Sequence, residues 1–307
     1  MSGDDTGGGT LARFSDDLAN AVEAAGQTVV AVKSRRRVPG SGVLWSPAGV
    51  VVTADHVLER EEDLRVALAD GRELAATLVG RDPSTDLTVL RVAGEGVPSA
   101  RLADGDAVRV GHFVLALGRT GPGAPNASIG IVSAVGGPWR SRRGATVEGY
   151  LRTDLTLYPG FSGGPLVDAR GRVVGINTSL LGRGQSMALP LATVRRVAES
   201  LLTQGRIRRG FLGISTQPVA LPSALAARLG LGQETGLLVL GAEPGGPADK
   251  AGLLLGDILV GFAGAALRDT DDLLTQLDGA RIGTTQEARV VRGGELRTLP
   301  VTVGERP

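Results

Sequence analysis

The pattern of apolar and polar positions changes along the chain. Between Leu11 and Ala25, apolar residues recur at spacings of three and four, which predicts an amphipathic helix. From Thr28 onward, short β-branched runs are separated by turn residues such as Ser46-Pro47-Ala48-Gly49. These runs continue to about residue 180 at a spacing typical of small barrels. We therefore expect this part of the chain to be mainly β.

The later part of the chain mixes predicted helices with apolar runs. A second amphipathic helix is predicted over Leu191–Gln204, with Gly205 as its left-handed C-terminal stop. After a short polar linker, apolar runs alternate with two helix candidates, one that begins at Pro247 and one over Asp271–Leu277. The expected organisation is a disordered N-terminus at 1–10, a first domain with its N-terminal helix at 11–205, and a second domain at 206–307.

The composition excludes several kinds of partner and site. A chain of 307 residues is long enough for more than one core, and aromatic residues make up only 3% of it. The 33 basic and 32 acidic residues nearly cancel, so no overall charge attracts the chain to nucleic acid. Because cysteine is absent, disulfides and thiolate metal sites are excluded. We expect neither a metal nor another cofactor.

The sequence also bears on location. No apolar run reaches the length of a membrane span, so no membrane segment is expected. The stretch Met1–Thr10 has neither the basic start nor the apolar core of a secretory signal. As written, the sequence predicts a cytoplasmic protein. The periplasm or the extracellular space is the alternative if an upstream export segment has been removed.

A glycine-rich segment, Gly160 to Leu166, places a serine, Ser162, where the backbone can turn sharply. A nucleophilic serine needs an imidazole base, a carboxylate that orients the base, and N–H donors for the oxyanion. His56 follows an apolar strand and Asp86 precedes one, and the order His, Asp, Ser is that of the chymotrypsin type. We predict a triad of these three residues, with the amides of Gly160 and Ser162 as oxyanion donors.

Each of these residues also has a plainer interpretation. Ser162 alone could be part of a glycine-rich turn, His56 alone a structural histidine, and Asp86 alone a cap or a solvated charge. Their joint occurrence in one order favours the catalytic interpretation. The other histidine, His112, has no such neighbours and is interpreted as structural.

At these residues the chain resembles the HtrA/DegP family of trypsin-like proteases, in which a protease domain is followed by PDZ domains. The resemblance extends from about Gln27 to Val303. The matching segments are Gly40–Val43, Thr53–Val57, Thr85–Val92, Gly130–Ser133, Thr153–Asp154, Pro159–Leu166 and Gly175–Thr178. It implies a chymotrypsin-like double six-stranded β-barrel followed by a PDZ domain, a small β-sheet with two helices. The implied reaction is hydrolysis of peptide bonds in unfolded or partly unfolded proteins, a protein quality control activity.

The resemblance also suggests a specificity pocket. In trypsin-like folds the residue six positions before the nucleophile lies at the pocket floor, and here it is Thr156. Because no carboxylate stands there and Leu157 and Met187 are apolar, we expect cleavage after small or medium aliphatic side chains. The alternative is that Leu157 and Met187 are ordinary core residues.

Two positions depart from the family pattern. Phe161 stands where the family usually has asparagine and where digestive trypsins have an aspartate that pairs with a new N-terminal amine. A phenylalanine cannot form that ion pair, so we expect neighbouring loops or a bound ligand to order the oxyanion loop. Arg119 lies in the second departure, Gly118 to Gly123, which suggests different regulation.

The segment from Gly210 to Ile214 resembles the carboxylate-binding loop of PDZ domains. The predicted contacts to a C-terminal peptide are Phe211, Leu212, Gly213 and Ile214 in the loop and Leu273 and Leu277 in the helix candidate. The alternative is a generic small β domain. The family commonly forms trimers, so a homotrimer is also an expectation.

Two other functions compete with the protease. One is a catalytically latent chaperone or peptide-binding scaffold, which would require an oxyanion loop collapsed around Phe161. The other is action of Ser162 on esters. The PDZ-like segment makes peptides the expected substrates.

Overall fold

The computed structural model describes residues 9–34, 38–93, 96–104, 108–121, 123–137, 139–140, 146–147, 149–182, 184–277 and 279–305. The chain divides into two compact units, Met1–Ile207 and Arg208–Pro307. The expected disordered N-terminus lies outside the described residues up to position 8. Thr10 already begins the first helix.

The first unit begins with one helix and a closed barrel. These elements are α1 (Thr10–Gly26), β1 (Val29–Lys33), β2 (Gly40–Ser46), β3 (Val50–Ala54), β4 (Arg65–Ala67), β5 (Glu73–Asp82) and β6 (Leu87–Val92). The strand order is β1-β2-β3-β6-β5-β4, and β1 closes the barrel by pairing with both β2 and β4. Val30 and Val32 of β1 fill the barrel, whereas Val29 packs in the core that includes the second barrel. Burial on both faces explains why this strand is a continuous apolar run.

A second closed barrel follows. The strands of this region are β7 (Phe113–Gly118), β8 (Asn126–Gly136), β9 (Trp139–Arg140), β10 (Thr146–Val147), β11 (Tyr150–Thr153), β12 (Pro165–Asp168), β13 (Val173–Thr178) and β14 (Ser186–Pro190). The barrel order is β11-β14-β13-β12-β7-β8, closed by pairing of β8 with β11, while β9 and β10 form a separate ribbon. The predicted double six-stranded barrel is therefore confirmed.

The helices of the first unit agree with the sequence pattern. Helix α2 (Leu191–Gln204) ends at Gly205, which has a left-handed φ of 71°, as predicted. Its apolar stripe, including Val194 and Leu201, is fully buried. Helix α1 is packed less deeply than α2, as the 79% exposure of Leu11 at its start shows.

The second unit is a small sheet with short helices. Its elements are β15 (Gly210–Phe211), β16 (Ile214–Ala220), α3 (Ser223–Arg228), β17 (Thr235–Ala242), α4 (Pro247–Lys250), β18 (Ile258–Phe262), β19 (Ala265–Ala266), α5 (Thr270–Gln276), β20 (Thr285–Arg292), β21 (Glu295–Thr302) and β22 (Gly304–Glu305). The main sheet runs β16-β17-β18-β20-β21, so β16 is an edge strand. Both helices predicted for this unit are present, as α4 and α5, and the described residues contain α3 in addition. Helix α3 has only 6 residues, too short to show a helical period in the sequence.

Among the described residues, no helix combines the length and apolar character that crossing a membrane requires.

Candidate active site

His56 and Asp86 are held at the ends of two neighbouring strands of the first barrel. His56 lies in a single 3₁₀ turn, Asp55–Val57, directly after β3, and Asp86 directly precedes β6. The pairing of β3 with β6 brings them together, and the Asp55 amide donates to the Asp86 carbonyl oxygen at 3.1 Å. Asp86 has a φ of 57°, a left-handed conformation that aspartate tolerates better than most residues.

The Asp86 carboxylate is buried and accepts hydrogen bonds from three directions. His56 Nδ1 lies 2.8 Å from Oδ2 and 2.9 Å from Oδ1, and the His56 backbone amide donates to Oδ1 at 2.9 Å. The Thr178 hydroxyl, at the end of β13 in the second barrel, donates to Oδ2 at 2.5 Å. A carboxylate fixed in this way holds the imidazole with Nδ1 protonated and Nε2 free to accept a proton.

Ser162 lies between β11 and β12 of the second barrel, and its hydroxyl is close to that of Ser179. The two oxygens are 3.0 Å apart, and the Ser179 amide donates to Ser162 Oγ at 3.3 Å. Ser179 Oγ is in turn 3.5 Å from His56 Nε2. No direct hydrogen bond joins the Ser162 and His56 side chains, both of which belong to the described part of the chain. The structure thus brings the three predicted triad residues to one place, with Ser179 among them.

The turn before Ser162 leaves two backbone amides free. The Phe161 amide donates to the Tyr158 carbonyl oxygen at 3.0 Å, and Gly160 has a φ of 88°. Proline at the second position and glycine at the third are the residues that a type II turn prefers. Within the described residues, the amides of Gly160 and Ser162 donate to no protein acceptor. They remain available for an oxyanion.

One cavity of about 390 Å³ is lined by His56, Ser162, Ser179, Gly160 and the apolar side chain of Leu157. Leu157 is the one predicted specificity residue among its lining residues in the described chain. Thr156 is exposed, and its amide donates to Ser128 Oγ, whereas Met187 is half-buried in β14.

In the second unit, the loop between β15 and β16 has free amides of its own. Leu212 and Gly213 donate to no backbone or side-chain acceptor among the residues that the structure describes. Gly213 has a φ of 72°, which turns successive N–H groups toward one side, as in anion-binding nests. Phe211 pairs with Gly304 of β22, which holds the start of this loop.

The predicted apolar contacts of the second unit lie around its core. Leu212 and Leu273 are buried in it, and Ile214 and Leu277 are partly buried against it. Ile214 begins the edge strand β16, which α5 contacts. A groove between β16 and α5 would therefore be lined at its base by the core of the unit.

The fold and these two constellations can be compared with known proteins. The family model of the trypsin-like peptidase domain matches residues 40–176, and that of the PDZ domain matches residues 210–303. The solved structure of the HtrA-type protease AlgW with a decapeptide is 33% identical, with a TM-score of 0.77, and the match covers 94% of this chain and 99% of that one. The chain belongs to the HtrA family of trypsin-like proteases.

A second solved structure and two curated proteins are also similar to this chain. The structure of the serine endoprotease from Yersinia pestis is 30% identical, with a TM-score of 0.78, and the match covers 94% of this chain and 98% of that one. A probable periplasmic serine endoprotease, DegP-like, from Ectopseudomonas mendocina (strain ymp) is 37% identical over 273 residues, which is 87% of this chain and 56% of the relative. The corresponding protein of Halomonas elongata is 34% identical over 300 residues, 96% of this chain and 61% of the relative.

The chain thus spans less than two thirds of the length of these curated HtrA relatives. Both relatives are named periplasmic, so the comparisons do not support the expected cytoplasmic location.

The first departure from the HtrA pattern, Phe161, is accommodated by packing. Its side chain is fully buried and meets the Tyr158 ring edge-on, with ring centroids 5.5 Å apart. A Cβ built on Gly118 would lie 2.5 Å from the Phe161 ring, so the ring occupies space that only glycine leaves open. The turn that carries the predicted oxyanion donors is therefore supported by apolar contacts where trypsins use an ion pair.

The second departure, Arg119, is a buried guanidinium whose acceptors are carbonyl oxygens. It donates to Val29 at 2.7 Å, to Gly26 at the end of α1 at 3.0 Å, and to Gly123. Burial lowers the pKa of Arg119 below its ordinary value. Arg119 joins helix α1 to both barrels.

Three hydroxyl residues of the site received no role from the sequence: Ser41, Thr178 and Ser179. Ser41 and Thr178 lie in segments that match the family, which was the available signal. Ser179 directly follows such a segment and gave none. No group of three or more His, Cys, Asp or Glu in the described residues could hold a metal ion.

Proposed function

We propose that this chain is a serine endopeptidase that cleaves unfolded or partly unfolded polypeptides, with His56, Asp86 and Ser162 as its triad. The observation that carries the proposal is the Asp86–His56 contact of 2.8 Å beside a cavity that also contains Ser162 and two free amides. The names of the relatives, which are serine endoproteases, support the same reaction.

The proposed reaction begins at Ser162. His56 Nε2 takes the Ser162 Oγ proton as Oγ forms a bond to the scissile carbonyl carbon, and the Gly160 and Ser162 amides stabilise the oxyanion. The Asp86 carboxylate stabilises the imidazolium. His56 then protonates the leaving amine as the C–N bond breaks. A water molecule, deprotonated by His56, hydrolyses the acyl-enzyme and releases Ser162.

The proposed specificity remains small or medium aliphatic side chains at the cleaved position. Leu157 provides an apolar wall of the cavity, and no carboxylate stands among the described residues that line it. Cleavage products of an unfolded protein, identified by mass spectrometry, test this directly. Products that end mainly in Lys or Arg would contradict it.

For the second unit, we propose that the Leu212 and Gly213 amides bind the terminal carboxylate of a peptide that adds as a strand to β16. Titration of a labelled C-terminal peptide tests this, with an otherwise identical amidated peptide as the control. Equal binding of the two peptides would contradict a carboxylate site.

Location and assembly are parts of the proposal that rest on the family. We propose a periplasmic location, following the names of the relatives, and a homotrimer. Cell fractionation tests the location and light scattering tests the assembly.

The central experiment compares the wild type with Ser162→Ala on an unfolded model protein and measures labelling by a serine-directed fluorophosphonate. Cleavage and labelling by the wild type, both absent in the variant, are the expected result. Absence of both from the wild type, even with C-terminal peptides added, would make the latent scaffold the better description.

A further inference from the structure

The resting state of Ser162 is defined by one neighbour, Ser179. A hydroxyl has one O–H to donate and two lone pairs to accept with. The Ser179 amide donates to Ser162 Oγ at 3.3 Å and uses one lone pair. The Ser179 hydroxyl lies 3.0 Å away, where it can receive the Ser162 proton. Both described hydrogen bonds of this side chain therefore lead to Ser179, and neither leads to His56.

The position of Ser179 is fixed by the barrel. Its neighbour Thr178 ends β13, pairs with Met187 of β14, and donates its own hydroxyl to Asp86 at 2.5 Å. Two consecutive hydroxyl residues thus contact opposite ends of the proposed triad, Thr178 at the carboxylate and Ser179 at the nucleophile. The Ser179 side chain is exposed and lines the same cavity as Ser162, on the path that a substrate must enter.

We propose that Ser179 is a positioning residue that holds the Ser162 hydroxyl away from His56 until a substrate enters the cavity. In the free enzyme the Ser162 proton is donated to Ser179 Oγ, so the nucleophile is not aligned with its base. Entry of a polypeptide main chain displaces the Ser179 side chain, and Ser162 Oγ turns to donate to His56 Nε2. The inference rests on the proposed function, since it concerns the same nucleophile.

A proton relay through Ser179 is the other role that these atoms allow, and the distances favour the holding role. The contact from Ser179 Oγ to His56 Nε2 is 3.5 Å, near the limit for a hydrogen bond, whereas the contact to Ser162 Oγ is 3.0 Å. The two roles predict opposite effects when the hydroxyl is removed. Holding predicts a faster Ser162, and a relay predicts a slower one.

The experiment measures the rate of labelling by a small fluorophosphonate in the full chain, as a function of reagent concentration. Ser179→Ala keeps the backbone amide and removes only the hydroxyl. We expect its maximal labelling rate constant to rise about three- to tenfold, the factor to which one neutral hydrogen bond corresponds, with the half-saturating concentration unchanged. Ser179→Thr, which restores a hydroxyl, should return the rate close to that of the wild type.

Two further variants separate this inference from the proposed function. Ser162→Ala must not be labelled, and Ser99→Ala, an exposed serine in the loop after β6, must be labelled at the wild-type rate. If the wild type is labelled and cleaves protein but Ser179→Ala is labelled equally or more slowly, the holding role is wrong and the protease stands. If the wild type is neither labelled nor able to cleave protein, both fail together. Thermal unfolding of each variant confirms that it is folded.

Discussion

The Ser41 hydroxyl donates to the carbonyl oxygen of Gly160 at 2.6 Å, although the two residues are 119 positions apart in the chain. The same hydroxyl accepts the Arg119 amide at 2.8 Å. Ser41 therefore links the first barrel to the turn that carries the proposed oxyanion donors. Because the Gly160 carbonyl is anchored, the peptide plane beside the oxyanion site cannot rotate freely.

Replacement of Ser41 by alanine should impair catalysis more than stability. Loss of the anchor lets the oxyanion turn sample other orientations, and removal of one oxyanion donor outright costs about 10²–10³ in kcat. We expect a smaller loss of about tenfold in kcat, with KM nearly unchanged, in steady-state cleavage of a peptide substrate. Thr28→Ala is the matched control, because this buried hydroxyl also donates to a carbonyl, that of Ala25. An equal kcat loss in the control would show that the effect is general destabilisation.

Loss of the Thr178 hydroxyl should impair the positioning of His56 by Asp86, and not the stabilisation of the oxyanion. Thr178→Val keeps the shape of the side chain and removes the 2.5 Å donor to the Asp86 carboxylate. Hydrogen bonds to charged groups contribute about 1.5–3 kcal/mol, so we expect kcat to fall by about ten- to a hundredfold. Thr178→Ser retains the donor and should keep most of the activity. Unchanged kinetics in the valine variant would mean that the two donors from His56 suffice to hold Asp86.

The candidate catalytic residues could be predicted from the sequence, whereas the hydrogen bonds that position them could not. The triad residues each lie in a short local motif, at a strand end or a glycine turn, and local patterns are readable from sequence. Strand β5 is hard to predict because its alternate core-facing residues, Leu74, Ala76 and Leu78, are only partly buried and do not form a β-branched run. The contacts of Ser41 and Ser179 depend on how distant strands pack, which no local pattern encodes. Leu11 fits the helical period of α1 but is exposed. Periodicity does not show which part of a helix packs against the rest of the protein.

Gly118 and Phe161 should behave as a packed pair. Gly118→Ala places a Cβ 2.5 Å from the buried Phe161 ring, so the ring must move, and Phe161 lies between the two proposed oxyanion donors. Overpacking of this kind costs about 1–3 kcal/mol. We expect reduced stability and a loss of kcat, both partly restored by Phe161→Leu in the same chain. Gly121→Ala is the control, since nothing lies within 4 Å of its Cβ position. A fully active Gly118→Ala would show that the ring moves without disturbing the turn.

In the second unit, the buried Asp257 forms an ion pair with the partly exposed Arg292, and this pair should make stability depend on pH. Arg292 donates to both carboxylate oxygens at 2.7 Å. Burial would raise the pKa of Asp257, but the hydrogen bonds from Arg292 and from the Leu254 amide outweigh it and hold the pKa below its usual value. A carboxyl group whose pKa is lower in the folded than in the unfolded chain stabilises the folded state at pH values above its unfolded-state pKa, about 3.9. That stabilisation is lost as the pH falls through the folded-state pKa.

Arg292→Met should therefore be most destabilising at neutral pH. It leaves Asp257 buried and unpaired, which costs about 3 kcal/mol, the lower end for buried pairs because Arg292 is partly exposed. The difference in unfolding free energy between the variant and the wild type should narrow as the pH falls toward 3, since the Asp257 carboxyl is then protonated in the variant. Hydrogen exchange of peptides from β18 and β20 in the full chain measures this difference for the second unit. Arg72→Met, which breaks an exposed pair with Asp70, should leave the stability close to that of the wild type at every pH. A pH-independent difference between Arg292→Met and the wild type would contradict the assignment to Asp257.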